Sequence, residues 1–251
     1  MFEVAPDLVA ALAMAAFVAG FVDSIAGGGG LITLPVMLMA GASPVQALST
    51  NKLQGTFGAA TAAISYGRAG HVDLWAQRWP AVIAFFASVA GAALITVLPT
   101  DGVRGFLPWL LIAIAAFFAL RPGLSDTDRA ARMRPATFVL TAVPLIAFYD
   151  GLLGPGTGSF FMLAFVLLAG QGMLKATAHT KLLNLASNLG ALLLFAVLGD
   201  IWWMTGIVMA VAQIGGARVG ALMAMRRGAR LIKPLLVVVS LALALRLILA
   251  G

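Results

Sequence analysis

The chain is short of charge and has no cysteine. Only 10% of its 251 residues are charged, against about a quarter in an ordinary soluble domain, and this excludes that class of protein. The absence of cysteine leaves the redox compartment unspecified. Two histidines, far apart, are too few for a metal cluster or for a catalytic set of nucleophile, base and orienting group. The sequence therefore predicts no enzyme, no metal site and no cofactor.

Two common signals are also missing. Residues 1–17 carry Glu3 and Asp7 where a secretory signal peptide has a positive n-region, so this stretch is interpreted as the flank of a first membrane helix. Neither glycine-rich phrase of the chain is followed by the Lys-Ser or Lys-Thr pair of a nucleotide-binding loop. Any energy coupling must therefore come from a gradient or a partner.

What the chain has instead is apolar length. Hydrophobic residues make up 62% of the sequence, and runs of about 17–25 such residues can cross a bilayer. Backbone groups in lipid must be satisfied internally, so the runs are predicted to be helices. The predicted fold is an all-α, polytopic membrane protein. Its ten segments are residues 8–25, 31–41, 44–66, 79–98, 103–120, 136–153, 158–170, 172–198, 201–225 and 232–250.

Positive charge is concentrated in three of the connections between these segments. The net charge is +7, but its distribution follows the rule that basic loops stay in the cytoplasm. The pattern therefore predicts a lipid bilayer as the partner and no nucleic acid. The basic residues of the three loops are Arg68, Arg78, Arg121, Arg129, Arg132, Arg134, Arg226, Arg227, Arg230 and Lys233.

The most polar connection, the predicted cytoplasmic linker loop 121–135, divides the chain into an N-terminal repeat (1–120) and a C-terminal repeat (136–251). This loop and the basic loop at 226–233 are both predicted to be cytoplasmic, so an even number of membrane crossings should separate them. The number is even only if the short segment 158–170 contributes one crossing. Each half then has five segments, so the second half is inserted upside down. Inverted repeats are a common transporter plan, with the substrate near the membrane midplane.

The two halves also repeat a polar pattern. Asp23 aligns with Asp150 and Lys52 aligns with Lys181 at nearly the same offset, and each aspartate adjoins a run of glycines. Apolar composition alone would not produce matches at polar positions.

The glycine runs are predicted to break the helices, since glycine costs helix propensity and admits unusual backbone angles. Irregular backbone at membrane depth persists only where it is buried in protein or lines a polar cavity. The helix after each break presents N–H groups at its positive end, which is a natural cradle for an anion. The alternative is that the glycines only allow close helix packing. The predicted binding residues of the two loops are Gly28, Gly29, Gly30, Gly156, Thr157 and Gly158.

Charged residues within membrane segments are functional candidates by default. Lys52 and Lys181 lie several residues inside their segments, and the alternative for them is snorkelling toward an interface. Lys181 shares one helical face with Asn184 and Asn188, which are predicted to orient the oxygens of a substrate. The lysines are predicted to neutralise an anion.

Asp23 and Asp150 lie next to the glycine breaks. They are candidates for proton coupling or, equally, for helix caps whose carboxylates accept loop N–H groups. His179 is predicted to point away from Lys181, because the two are only two positions apart on a helix. The weaker candidates for the site are Asn51, Gln54, His179 and Gln213.

Residues 20–59 and 149–188, which contain these motifs, resemble the paired signature regions of the TauE/SafE family of sulfite exporters, and the resemblance spans nearly the whole chain. It implies a multi-pass transporter of the cell inner (plasma) membrane that moves sulfur oxyanions or small organosulfonates. Carried over to this chain, the matching polar positions are Thr50, Asn51, Lys52, Thr180, Lys181 and Asn184.

The combined prediction is a secondary transporter that exports a small anion, such as sulfite, sulfoacetate or a related sulfonate, by alternating access. A passive anion channel is the nearest alternative. An intramembrane enzyme acting on a lipid phosphate is the alternative from a different class. The predicted partners are a small anionic substrate and the lipid bilayer, and the sequence leaves the oligomeric state and the coupling ion open.

Overall fold

A computed structural model describes residues 3–95, 125–198 and 201–250. Across these ranges the regular structure is entirely α-helical, as predicted. The predicted segment 103–120 lies outside the described residues. The described helices are α1 (Pro6–Ala26), α2 (Gly30–Met39), α3 (Pro44–Arg68), α4 (Arg78–Ile95), α5 (Pro135–Leu152), α6 (Thr157–Leu167), α7 (Met173–Leu198), α8 (Trp203–Arg227) and α9 (Ala229–Ala250).

Five of the described helices, α1, α4, α5, α7 and α8, are long and apolar enough to cross a membrane. The prediction of a polytopic membrane protein is confirmed. Helix α3 is equally long but more polar, and it turns its polar residues inward: Thr50, Lys52 and Gln54 are each at most 1% exposed. The polar face of α3 therefore belongs to the interior of the protein.

The glycine runs end one helix and start the next, as predicted. Gly27 and Gly28 follow α1 with φ of 79° and 97°, and Gly154 and Gly156 follow α5 with φ of 85° and 81°. Glycine adopts such positive φ angles without the strain that a side chain would cause. The long helices α1 and α5 therefore stop within the apolar part of the molecule.

Each short helix runs back along the long helix before it. Leu34 and Met37 of α2 share a buried cluster with Leu12 and Ala16 of α1. In the second half the end of α6 returns to the linker from which α5 starts, since Arg132 N donates to Leu168 O at 2.9 Å. The short helices thus reverse the chain without spanning a bilayer by themselves. The opposite insertion of the two halves stays a prediction.

Close helix contacts at glycines hold the scaffold together. A Cβ on Gly216 or Gly220 of α8 would collide with the backbone of α1, and a Cβ on Gly91 of α4 would collide with the backbone of α5. Small residues at four-residue spacing are typical of tight packing between membrane helices. Helices α3 and α7, which carry the two lysines, contact each other; α3 also packs against α1 and α8, and α7 packs against α4 and α5.

Candidate functional site

Each buried lysine pairs with the aspartate of the other half. Lys52 Nζ donates to Asp150 Oδ1 at 2.8 Å and to the Asp150 backbone oxygen at 2.6 Å. Lys181 Nζ donates to the Asp23 backbone oxygen and lies 3.4 Å from Asp23 Oδ2. Both lysines are at most 1% exposed, so their ammonium groups end inside the protein rather than at its surface.

The lysines neutralise two kinds of negative charge at once. Their backbone acceptors lie in the last turns of α1 and α5, where unpaired carbonyl groups give a helix its negative end. The carboxylates beside those carbonyls supply the full charge. Breaking such a buried pair by removing one partner typically costs about 3–5 kcal/mol, so these contacts matter for folding.

The two aspartates differ in how firmly they are held. Asp150 also accepts hydrogen bonds from Thr157 Oγ1 at 2.9 Å and Ser187 Oγ at 2.5 Å, and its side chain is 4% exposed. Asp23 accepts one from Gly29 N at 3.2 Å, and its side chain is 18% exposed. Asp23 thus accepts a loop N–H group, which is the contact of the helix-cap alternative, whereas the loop donor to Asp150 is the hydroxyl group of Thr157.

The two glycine loops meet around a small polar cavity of about 30 Å³. A Cβ on Gly27 would overlap the backbone of Gly158, and Ser159 Oγ donates to Ala26 O at 3.1 Å, so the loops are in direct contact. The N-terminal ends of α2 and α6 both open onto the cavity. The predicted loop residues that line it are Gly28, Gly29, Gly30, Gly156, Thr157 and Gly158.

Amide side chains from three helices complete the wall of the cavity. The predicted residues Asn51, Asn184 and Asn188 line it, as do both aspartates. Gln213 of α8, a weak candidate from the sequence, lines it too. Asn184 Oδ1 and Gln213 Oε1 are buried without a hydrogen-bond partner among the described residues. Buried polar atoms without a partner call for a ligand or a water molecule.

The other four predicted residues lie behind this wall. The Nζ atoms of Lys52 and Lys181 would be 3.0 and 3.5 Å from a Cβ on Gly154 and on Gly158, so glycine alone separates them from the cavity. Thr50 Oγ1 accepts from Trp202 N at 3.0 Å and ties α3 to the start of α8. Thr180 Oγ1 is buried, with no hydrogen-bond partner in the described part of the chain.

Sequence reasoning missed three residues of the site. Gly55 and Gly154 line the cavity, and Ser187 holds Asp150. Ser187 lies three positions after Asn184, close to the helical face that Lys181, Asn184 and Asn188 share, so this pattern could have identified it. Gly55 lies about one helical turn after Lys52 on α3, and its lack of a side chain leaves room for Asn188.

His179 lies away from the cavity, as predicted. Its Nδ1 is 2.6 Å from Gln77 Nε2 and 3.0 Å from Gln171 Nε2, so it belongs to a separate polar cluster at the basic end of the molecule. In the three described ranges no group of three or more His, Cys, Asp or Glu side chains could hold a metal ion.

Interrupted helices that aim their N-terminal ends at a central polar cavity are typical of membrane transporters. Comparison with known sequences identifies the family of transporters. The family model described as "Sulfite exporter TauE/SafE" matches residues 12–247, and the chain belongs to the TauE/SafE family. The resemblance found in the two glycine-containing motifs is confirmed.

The curated relatives that match nearly the whole chain are named as membrane transporters. The chain is 55% identical to "Probable membrane transporter protein ORF9" of Sinorhizobium sp, covering 99% of this chain and 95% of the relative. It is 45% identical to "Probable membrane transporter protein YfcA" of Escherichia coli (strain K12), covering 99% and 92%. A Haemophilus influenzae "Probable membrane transporter protein" is 41% identical, covering 98% and 96%. No solved structure matches the chain significantly. The protein is a multi-pass membrane transporter.

Proposed function

We propose that the protein is a secondary transporter that exports a small sulfur oxyanion or organosulfonate, such as sulfite or sulfoacetate, across the inner membrane by alternating access. One observation carries this proposal: two helix N-terminal ends and several amide side chains converge on one polar cavity, with a buried lysine close behind each loop. The printed description of the family, sulfite exporter, supports the substrate class.

The donors for an anion come from the backbone and from amides. The N–H groups of Gly30 and Gly158, in the first turns of α2 and α6, make no backbone hydrogen bond within the described residues. Such N–H groups and the positive helix ends bind the oxygens of tetrahedral anions well. The Nδ2 groups of Asn51 and Asn184 are side-chain donors beside the two loops, 2.9 and 3.1 Å from where a Cβ on Gly30 and on Gly158 would lie. The ammonium groups of Lys52 and Lys181 offset the charges of the two aspartates that line the cavity.

The size of the cavity favours a moving site over an open pore. About 30 Å³ holds roughly two water molecules, which is less than a sulfonate needs. Substrate entry would therefore require the walls to separate. In the proposed mechanism the repeats 1–120 and 136–251 have opposite orientations, the linker 121–135 is cytoplasmic, and rocking of one half against the other opens the cavity to each side in turn.

A thermal-shift panel tests the binding part of this proposal. The purified full-length protein is heated with sulfite, sulfate, thiosulfate, sulfoacetate or taurine. A ligand at 100 times its Kd stabilises a folded protein by about 2.7 kcal/mol, so at least one anion should raise the melting temperature clearly. Asn188→Ala should reduce the shift, and Thr61→Ala, which changes a partly exposed residue of α3 that does not line the cavity, is the matched control. Equal shifts in both variants would remove the cavity from the site.

Flux into proteoliposomes tests the transport part. A transporter gives saturable flux and counterflow of labelled substrate, whereas a passive channel gives neither. The proposal of alternating access fails if flux rises linearly with concentration and no counterflow is seen.

A further inference from the structure

We infer that Asp23 is the internal counter-anion of Lys181 that a bound anionic substrate displaces, and that Asp23 takes up one proton as the substrate binds. Asp150 keeps its charge and its contact with Lys52. This inference rests on the proposed anion site and assigns the linkage between substrate and proton to one of the two aspartates.

The contacts of Asp150 leave its carboxylate no freedom. It is held by Lys52 Nζ, Thr157 Oγ1 and Ser187 Oγ, all within 2.9 Å. Its side chain is 4% exposed. Displacing it would break three hydrogen bonds to the charged carboxylate at once, and hydrogen bonds to charged groups are worth about 1.5–3 kcal/mol each.

The contacts of Asp23 are fewer and longer. Its carboxylate has the amide of Gly29 at 3.2 Å and Lys181 Nζ at 3.4 Å. Its side chain is 18% exposed and lines the cavity. Lys181 keeps the backbone oxygen of Asp23 as an acceptor, so the ammonium group stays in place when the carboxylate turns away.

Few other charges surround Asp23. Lys181 of α7 and Tyr66 of α3 are the titratable side chains that interact with it, and the Lys52–Asp150 pair lies across the same cavity. Helices α2 and α6, which also pack against α1, contain no titratable residue. The remaining basic side chains described on α8 and at the start of α9 are exposed or lie in the basic loop: Arg218, Arg226, Arg227, Arg230 and Lys233.

Charge balance then requires the proton. The two lysines and two aspartates sum to zero in the empty site, so a divalent anion such as sulfate would add two uncompensated buried charges, which is costly. Protonation of Asp23 offsets one of these charges and frees Lys181 for the substrate, and the two helix N-terminal ends, with about half a positive charge each, offset the other. The proton comes from solvent through the cavity and bonds to a carboxylate oxygen of Asp23, and no other covalent bond changes.

Calorimetry on the purified protein measures this proton. Sulfate, thiosulfate and sulfoacetate keep constant charge between about pH 6 and 8, and each is titrated into the full-length protein in two buffers of different ionisation enthalpy. We expect uptake of one proton per bound anion, and therefore an affinity that falls by up to tenfold for each unit of rising pH. Binding of an anion without proton uptake would overturn this inference and leave the proposed function intact. If none of the three anions binds at pH 6, both fall.

Two variants separate the aspartates. Asp23→Asn imitates the protonated form, so binding should take up no proton and the affinity should no longer depend on pH. Ser187→Ala weakens the hold on Asp150 alone and should leave the count at one. If Ser187→Ala reduces the count or Asp23→Asn keeps it at one, Asp23 is not the proton acceptor. The wild-type count decides the linkage even if Asp23→Asn does not fold.

Discussion

The two halves of the site share a plan but differ in their hydroxyl groups. Aligned on the aspartates, Thr157 of the second half corresponds to Gly30 of the first, and aligned on the lysines, Ser187 corresponds to Gly58. Thr157 and Ser187 are the two residues that hold Asp150. With glycine at both positions, the first half cannot hold Asp23 in the same way. The two halves thus have the same charges but differ in the side chains that fix the aspartate.

The glycine positions are not empty space. The side chain of Gln213 packs against Gly58 and the amide of Asn51 packs against Gly30, so each missing hydroxyl makes room for an amide that lines the cavity. The first half therefore supplies space and a loosely held carboxylate, and the second half supplies a fixed one. A single off-centre substrate fits such a site better than two equal ones.

The largest expected difference is between the two aspartates themselves. Asp150→Asn should lower the free energy of unfolding by about 3–5 kcal/mol, because it leaves Lys52 as an unpaired buried charge. Each lysine keeps its backbone acceptor, but Asp23→Asn should cost clearly less, since the carboxylate contacts of Asp23 are longer and its side chain is more exposed. Thermal unfolding of the purified variants measures both. Equal losses would contradict the asymmetry.

Removing one hydroxyl from the second half should have the next largest effect. Thr157→Val keeps the shape of the side chain but deletes the bond to Asp150, and a hydrogen bond to a charged group is worth about 1.5–3 kcal/mol. The control is Thr141→Val, which removes a hydroxyl bonded to a backbone carbonyl on an exposed face of α5. A loss no larger than in this control would mean that Thr157 does not help to fix Asp150.

The smallest effect is expected at the exposed ion pair of the linker, which serves as a reference for the buried pairs. Lys175 Nζ lies 2.6 Å from Asp128 Oδ2, and both side chains are about half exposed. Such pairs contribute about 0–1 kcal/mol, so Lys175→Met should shift the melting temperature little. A loss as large as that of Asp150→Asn would show that burial is not what distinguishes the pairs.

The same pair has a defined pH dependence. The hydrogen bond from Lys175, with one from the Gly172 amide, lowers the pKa of Asp128 below its ordinary value of 3.8. A lowered pKa in the folded state means that this contribution to stability is present above about pH 3.8 and is lost as the pH falls below it. The difference in melting temperature between wild type and Lys175→Met should therefore shrink in that acid range. A difference that persists there would contradict this origin.

Most of the elements could be predicted from the sequence, because lipid restricts the backbone to helices and glycine runs mark their breaks. The cavity glycines could be predicted because they form these breaks. Asn184 and Asn188 could be predicted because they share a helical face with Lys181. The pairing of Lys52 with Asp150 and of Lys181 with Asp23 could not, since it depends on how α3 and α7 pack against the opposite hairpins. Gln213 ranked low because no motif surrounds it, and only the approach of α8 to Gly20 and Gly58 places it at the cavity.

The exchange of partners between the halves also has a consequence for biogenesis. During synthesis the N-terminal half enters the bilayer with an ammonium group and a carboxylate whose partners have not yet been translated. Each half alone lacks the partners that its own lysine and aspartate have in the folded protein, so we expect the first half to reach its final packing only after the second arrives. Two separately encoded halves should accumulate only when they are produced in the same cell, and stable accumulation of either one by itself would show that its charges find other partners.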